Sequence, residues 1–145
     1  MSLIWAAVGA VLGAIGVATA LGLLWRSRTG RARHEERELA EVAAAHGRLG
    51  DQATLLQFST EFCAPCRATA RVLGELAGRR DGVVHVEVDL TDRADLARRL
   101  NILQTPTTFV LDPAGRSRAR IGGAPRMAEV VALLETLTPS EDGHV

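Results

Sequence analysis

The chain has no lysine, no tyrosine and only two cysteines, and aromatic residues make up 3% of its 145 positions. Each shortage excludes something. Two cysteines cannot build the multi-bridge framework of a small secreted scaffold. Few aromatics leave little to stack on bases, and 17 basic residues balanced by 17 acidic ones supply no field for a phosphate backbone. Nucleic acid is therefore not an expected partner. A disordered chain is excluded too, because 47% of the residues are hydrophobic and 23% charged. The length suits one small domain plus an appendage.

What the first part of the chain has in excess is apolar length. Leu3 to Trp25 carries no charged residue. At about 1.5 Å per residue the stretch reaches roughly 34 Å, enough for a bilayer core of about 30 Å. Trp5 and Trp25 stand at its two ends, where indoles favour the water–lipid boundary. Ala18-Thr19-Ala20 has the small-x-small form of a signal-peptide cleavage site. Against cleavage, no basic residue precedes the run, and the run is longer than a signal-peptide core. The expectation is a retained, single-pass membrane helix over residues 3–25, with the lipid bilayer as partner. Arg26, Arg28, Arg31 and Arg33 follow it and no basic side chain precedes it, so the positive-inside rule places the rest of the chain in the cytoplasm. Gly9 and Gly13 form a small-x-x-x-small step, extended by Gly16 and Ala20, that would let a second copy approach as a weak homodimer. A Gly/Ala-rich span without a partner is the simpler reading.

Residues 26–50 read as a basic juxtamembrane segment and linker helix. A polar tether is expected over 26–33, then a helix from Glu35 to His46 with a weak apolar stripe of Leu39, Val42 and Ala43, ended by Gly47 and Gly50. Residues 51–138 then alternate in type and read as one α/β domain, followed by a polar tail over 139–145. Ala53 to Phe58 and the β-branched run Val83 to Val88 read as strands, as does Thr107 to Leu111. Arg116 to Ile121, with arginines alternating, reads as an edge strand. Helices are expected from Ala64 to Arg79, with Ala68, Val72, Leu73 and Leu76 on one face, and from Arg93 to Leu100, with Ala94, Leu96, Ala97 and Leu100 as its apolar residues. A last helix begins near Pro125 and buries Met127, Val130, Val131, Leu134 and Leu137. Asp112-Pro113-Ala114-Gly115 makes a tight turn, which favours an antiparallel hairpin. Strand–helix–strand units favour parallel pairing, so a mixed four-stranded sheet with helices on both faces accounts for the pattern.

The chemistry lies in Cys63-Ala64-Pro65-Cys66, between a strand and a helix. The helix N-terminus presents unpaired N–H groups and partial positive charge, which stabilise a thiolate. Cys63 at the cap is expected to be the more exposed and to attack a substrate disulfide. Cys66, one turn in, then attacks Cys63 and releases the reduced substrate. Pro65 restricts the turn, and Arg67 adds positive charge. Zinc is excluded by ligand count: a structural site needs four, and the histidines at 34, 46 and 144 lie outside the core region. A purely structural disulfide would close so small a loop that it would constrain the unfolded chain little.

Phe62-Cys63-Ala64-Pro65-Cys66-Arg67 resembles the thioredoxin active-site segment, usually Trp-Cys-Gly-Pro-Cys followed by Lys or Arg. Thr105-Pro106-Thr107 resembles that family's cis-proline loop, Phe109 to Gly115 its hairpin, and Gly122-Gly123 the glycine that follows. The resemblance covers residues 51–137, or from 36 with the first helix included. Residues 106–112 also resemble a membrane-tethered branch of the family that serves cytochrome maturation.

The resemblance implies a three-layer α/β/α fold and a cis Thr105–Pro106 bond facing Cys63, where the backbone of Thr105 pairs with an extended substrate strand. It implies no bound cofactor and no metal. Protein disulfides would be the substrates, and a partner reductase or small thiol the electron donor. Three departures stand out. Gln57 occupies the place of a buried aspartate and cannot titrate. His85 replaces the accompanying lysine, either as a proton carrier or, preferably, as a satisfied strand histidine. Phe62 replaces tryptophan and keeps an apolar rim. No counterpart of the family's first strand is visible, so a trimmed sheet is expected. The function expected is a membrane-anchored protein-disulfide reductase facing the cytoplasm. The alternatives are extracytoplasmic exchange of the cytochrome-maturation type and a redox-responsive docking module without turnover.

Overall fold

The structure, a computed structural model, describes residues 1–137. The polar tail expected over 139–145 lies outside the described residues. So do the side chains at 2, 3, 6 and 25–32, among them Trp25, Arg26, Arg28 and Arg31.

The first helix, α1 (Ser2–His46), carries helical backbone through residues 26–33, where a tether was expected. The correction has a simple cause. Arginine and alanine are good helix formers, no proline interrupts, and Gly30 alone costs only about 1 kcal/mol. The chain divides into two compact units, one ending at His34 and the other beginning at Glu35. In the first, Ala7–Leu24 has a mean hydropathy of 2.2 and is long and apolar enough to cross a membrane.

The second unit begins earlier than the boundary drawn at residue 51, because the end of α1 helps to form its core. It continues as β1 (Ala53–Ser59), α2 (Ala64–Gly78), β2 (Val83–Asp89), α3 (Ala94–Arg99), β3 (Thr107–Leu111), β4 (Ser117–Gly122) and α4 (Met127–Leu137). The sheet order is β2-β1-β3-β4. β1 and β2 run parallel, whereas β3 is antiparallel to both β1 and β4. This is the four-stranded mixed sheet that the strand and turn pattern predicts.

Period-two alternation sends the two faces of each strand into different cores. Leu56, Phe58, Val86, Val88, Phe109 and Leu111 pack with Leu39 and Ala43 of α1 and with Leu96 and Leu100 at α3. Ala53, Leu55, Val83 and Val110 pack on the other face with Leu73 of α2 and Val130 and Leu134 of α4. Arg99 ties the first layer together by donating to Glu38 of α1 at 2.6 Å. The hairpin turn closes against α1 as well. Gly115 has φ +77, and a methyl group there would stand 2.5 Å from the Ala40 Cβ.

Some faces differ from those expected. Ala68 and Val72 are exposed, and the buried stripe of α2 is Cys66, Thr69 and Leu73. A helix lying over a twisted sheet buries a narrow stripe, and that stripe is set by where Cys66 enters. Ala94 is likewise exposed at the start of α3. In α4, Met127, Val130, Leu134 and Leu137 pack on the core as expected, but Leu133 joins them in place of Val131.

Candidate functional site

The parallel β1–β2 pair ends in register, Ser59 beside Asp89, and the chain turns at Thr60 into the head of α2. The carboxyl ends of parallel strands leave a crevice there, and a helix N-terminus opens onto it. Cys63 caps α2 with extended backbone (φ −91°), Pro65 occupies its first turn, and the Cys66 N–H donates to the Cys63 carbonyl at 3.1 Å. Proline fits this position because a first-turn N–H has no helical acceptor to lose.

Cys63 and Cys66 are joined in a disulfide. Cys63 is 8% exposed and Cys66 2%, so the order of accessibility matches the expectation, although both are largely covered. On reduction, a Cys63 thiolate would stand at the positive end of a 15-residue helix. Phe62 is 88% exposed beside it.

The Thr105–Pro106 bond is cis, as the resemblance implied. The Pro106 carbonyl accepts from the Gly123 N–H at 2.7 Å, and the Thr105 hydroxyl lies 3.4 Å from that of Thr60. The first contact ties the Pro106 loop to the end of β4, and the second ties it to the β1–α2 turn that carries the cysteines.

Gln57 is fully buried in the middle of β1. Its amide nitrogen donates to the Cys66 carbonyl at 3.0 Å, and its oxygen lies 3.1 Å from the His85 Nε2. His85 is thus a satisfied strand histidine, and its partner is the residue that contacts Cys66. Burial pushes its imidazole below the ordinary value, and the Glu87 carboxylate offsets only part of this. Thr108 faces Gln57 across the β1–β3 ladder, and its buried hydroxyl has no partner among the described residues.

Sequence reasoning missed the groove. Ser59, Thr60, Glu61, Arg67, Glu87 and Asp89 line, with Cys66, a cavity of about 400 Å³. The Ser59 hydroxyl donates to Glu87, and the Thr91 hydroxyl and N–H hold the Asp89 carboxyl below its usual range. A signal existed: the two strands are parallel, so their last residues must gather beside the helix that follows the first. Arg67 lines this groove and also a smaller one with Glu61, Phe62 and Ala64. No cluster of metal-ligating side chains occurs among the described residues.

The thioredoxin family profile matches residues 39–136. The chain belongs to the thioredoxin family. Its curated relatives include Thioredoxin H2-1 of Oryza sativa subsp. japonica, 35% identical over 86 residues, which are 59% of this chain and 61% of that protein. Thioredoxin C-2 of Corynebacterium nephridii is 37% identical over 73 residues, 50% of this chain and 68% of that one. The chain spans about three fifths of the length of Thioredoxins H2-1 and H2-2 of Oryza sativa subsp. japonica, 61% and 62%. Among solved structures, Chlamydomonas reinhardtii thioredoxin f2 superposes with a TM-score of 0.56 at 24% identity, covering 68% of this chain and 91% of its own. The short form of spinach chloroplast thioredoxin f gives 0.54 at 23%, covering 67% and 83%. At this identity the superpositions establish the thioredoxin fold. The profile begins at Leu39, in agreement with a core that includes the end of α1.

Proposed function

We propose that this chain is a membrane-anchored thiol-disulfide oxidoreductase that reduces protein disulfides through Cys63 and Cys66. The observation that carries the reading is the cysteine pair at the mouth of α2, with the second sulfur's residue one turn deeper and bonded through its carbonyl to β1. In the reduced protein the Cys63 thiolate attacks a substrate disulfide. One substrate sulfur leaves as a thiolate and takes up a proton, and the other stays bonded to Cys63. Cys66 loses its proton and bonds to Cys63, and the second substrate sulfur departs. The substrate gains two electrons and the pair is left as the disulfide.

Phe62 supplies an apolar rim, Pro65 shapes the turn, Arg67 favours the thiolate, and Thr105 and Pro106 offer backbone to an extended substrate. A reductase or small thiol returns the electrons. The apolar Ala7–Leu24 span supports the anchor, and the arginines at 26, 28, 31 and 33 support a cytoplasmic domain.

Cys66→Ser in the full chain tests the activity. A disulfide reductase traps its substrate on Cys63 as a mixed disulfide and loses turnover. A docking module keeps its partner and traps nothing. Labelling of the cysteines in intact, reduced cells by a membrane-impermeant maleimide would move the domain outside and favour extracytoplasmic exchange.

A further inference from the structure

The polar chain beneath Cys66 has its hydrogens fixed by a simple argument. The Cys66 carbonyl only accepts, so the amide nitrogen of Gln57 must face it. The amide oxygen therefore faces His85, and His85 must donate from Nε2. The other ring nitrogen lies on the α2 side, where a methyl group on Gly74 would stand 3.8 Å away. The imidazole is thus seated between β1 and α2, with Nε2 committed to the active site.

We propose that His85 is a positioning residue for the second sulfur: through Gln57 it holds the first turn of α2 so that Cys66 reaches Cys63 when the mixed disulfide is resolved. The proposal rests on the exchange reading above. Gln57 has no proton to give up and take back, so the chain is a brace and not a proton path. The proton of Cys66 leaves instead by the groove that Cys66 lines, to water.

The brace joins three elements, β2 to β1 to α2, in two hydrogen bonds. It acts on the backbone of Cys66 alone, leaving Cys63 at the cap to other contacts. Removing it should therefore slow one step and spare the other. The brace is also indifferent to the charge on His85, because Nε2–H donates in both protonation states. The charged group that acts on it is Glu87 on its own strand; α2 brings Gly74, and β1 brings Leu55 and Gln57.

The test uses the reduced full chain in detergent and a symmetric nitroaryl disulfide that releases one coloured thiolate at each step. The first release reports attack by Cys63, the second resolution by Cys66. His85→Leu keeps bulk and loses the donor, and His85→Gln keeps a donor without an ionisable ring. The expected result is an unchanged first release and a second release slowed about tenfold in His85→Leu, the loss of roughly one hydrogen bond's alignment. His85→Gln should recover most of that rate. Gln57→Leu should slow the same step, and the double variant with His85→Leu should be no slower than either single one. A second release that is unchanged in both Leu variants, or a Gln variant as slow as Leu, overturns the inference. If the wild-type chain releases no thiolate at all, the exchange reading falls and takes the inference with it.

Discussion

Gln57→Glu puts a carboxylate where neither water nor a cation receives it. The side chain at 57 is fully buried, one of its polar atoms faces the Cys66 carbonyl oxygen at 3.0 Å, and the other faces His85. An ionised carboxylate in that place would set oxygen against oxygen at the first contact. Its protonated form can donate there and accept from His85. Burial and the carbonyl therefore both raise the folded value of the introduced carboxyl above about 4.3, its unfolded reference. A group raised on folding is fully accommodated below the unfolded value, and the variant loses stability as pH rises through the folded one. Each unit of displacement is worth about 1.4 kcal/mol. A displacement of about two units would cost on the order of 2–3 kcal/mol by neutral pH. A protonated His85 softens the cost at low pH and withdraws that help as pH rises, so both effects have the same sign. Urea unfolding of the two proteins at a series of pH values reads this directly. The gap between wild type and variant should be small near pH 4 and widen toward pH 8. A gap below about 0.5 kcal/mol at every pH would refute a buried, carbonyl-facing Gln57.

Three further predictions follow from the core and the turn. Leu39→Ala, at a fully buried position of α1, should destabilise the protein by about 2–5 kcal/mol in chemical denaturation, whereas a cost below about 1 kcal/mol would remove α1 from the core. Thr108→Val deletes a buried hydroxyl that has no partner among the described residues, so unfolding should show a gain of about 1 kcal/mol, and a loss of that size would mean the hydroxyl is paired. Acid should destabilise the fold in two windows. His85 is held below 6.5 by burial, so the unfolded chain binds its proton first and stability falls as pH drops below 6.5; His85→Gln should flatten that window in a pH-dependent unfolding series. At Asp112 burial would raise the carboxyl, but the N–H and guanidinium of Arg116 and the Ala114 N–H outweigh it and hold the value below 3.8. Its stabilisation is present above 3.8 and lost as pH falls through the folded value, and Asp112→Asn should remove that second window.

What could be read from the sequence was whatever local chemistry determines. The β-branched run at Val83, the turn at Asp112 and the Cys-x-x-Cys between strand and helix each carry their own cause, and each stands where expected. Helix faces were less legible. Of the stripe expected by spacing, Leu73 and Leu76 pack on the core but Ala68 and Val72 do not, and Thr69 is buried instead, with the head of α2 held by the Gln57 bond to the Cys66 carbonyl. The stretch over 26–33 looked like a tether by polarity, but a helix needs permissive backbones more than apolar ones. Gln57 and His85 were conspicuous one by one. Their contact was not, because it depends on β1 and β2 running in parallel register, 28 residues apart in sequence. The groove of Ser59, Glu87 and Asp89 is a product of that same register.

Exchange requires an ionised Cys63 in the reduced chain. The direct measurement is the rate of Cys63 alkylation by iodoacetamide against pH, in the full chain carrying Cys66→Ser. The helix N-terminus predicts a midpoint clearly below about 8.5, the value of a free thiol. A midpoint at or above that value would contradict the account, because the sulfur would then be no better a nucleophile than any thiol in solution.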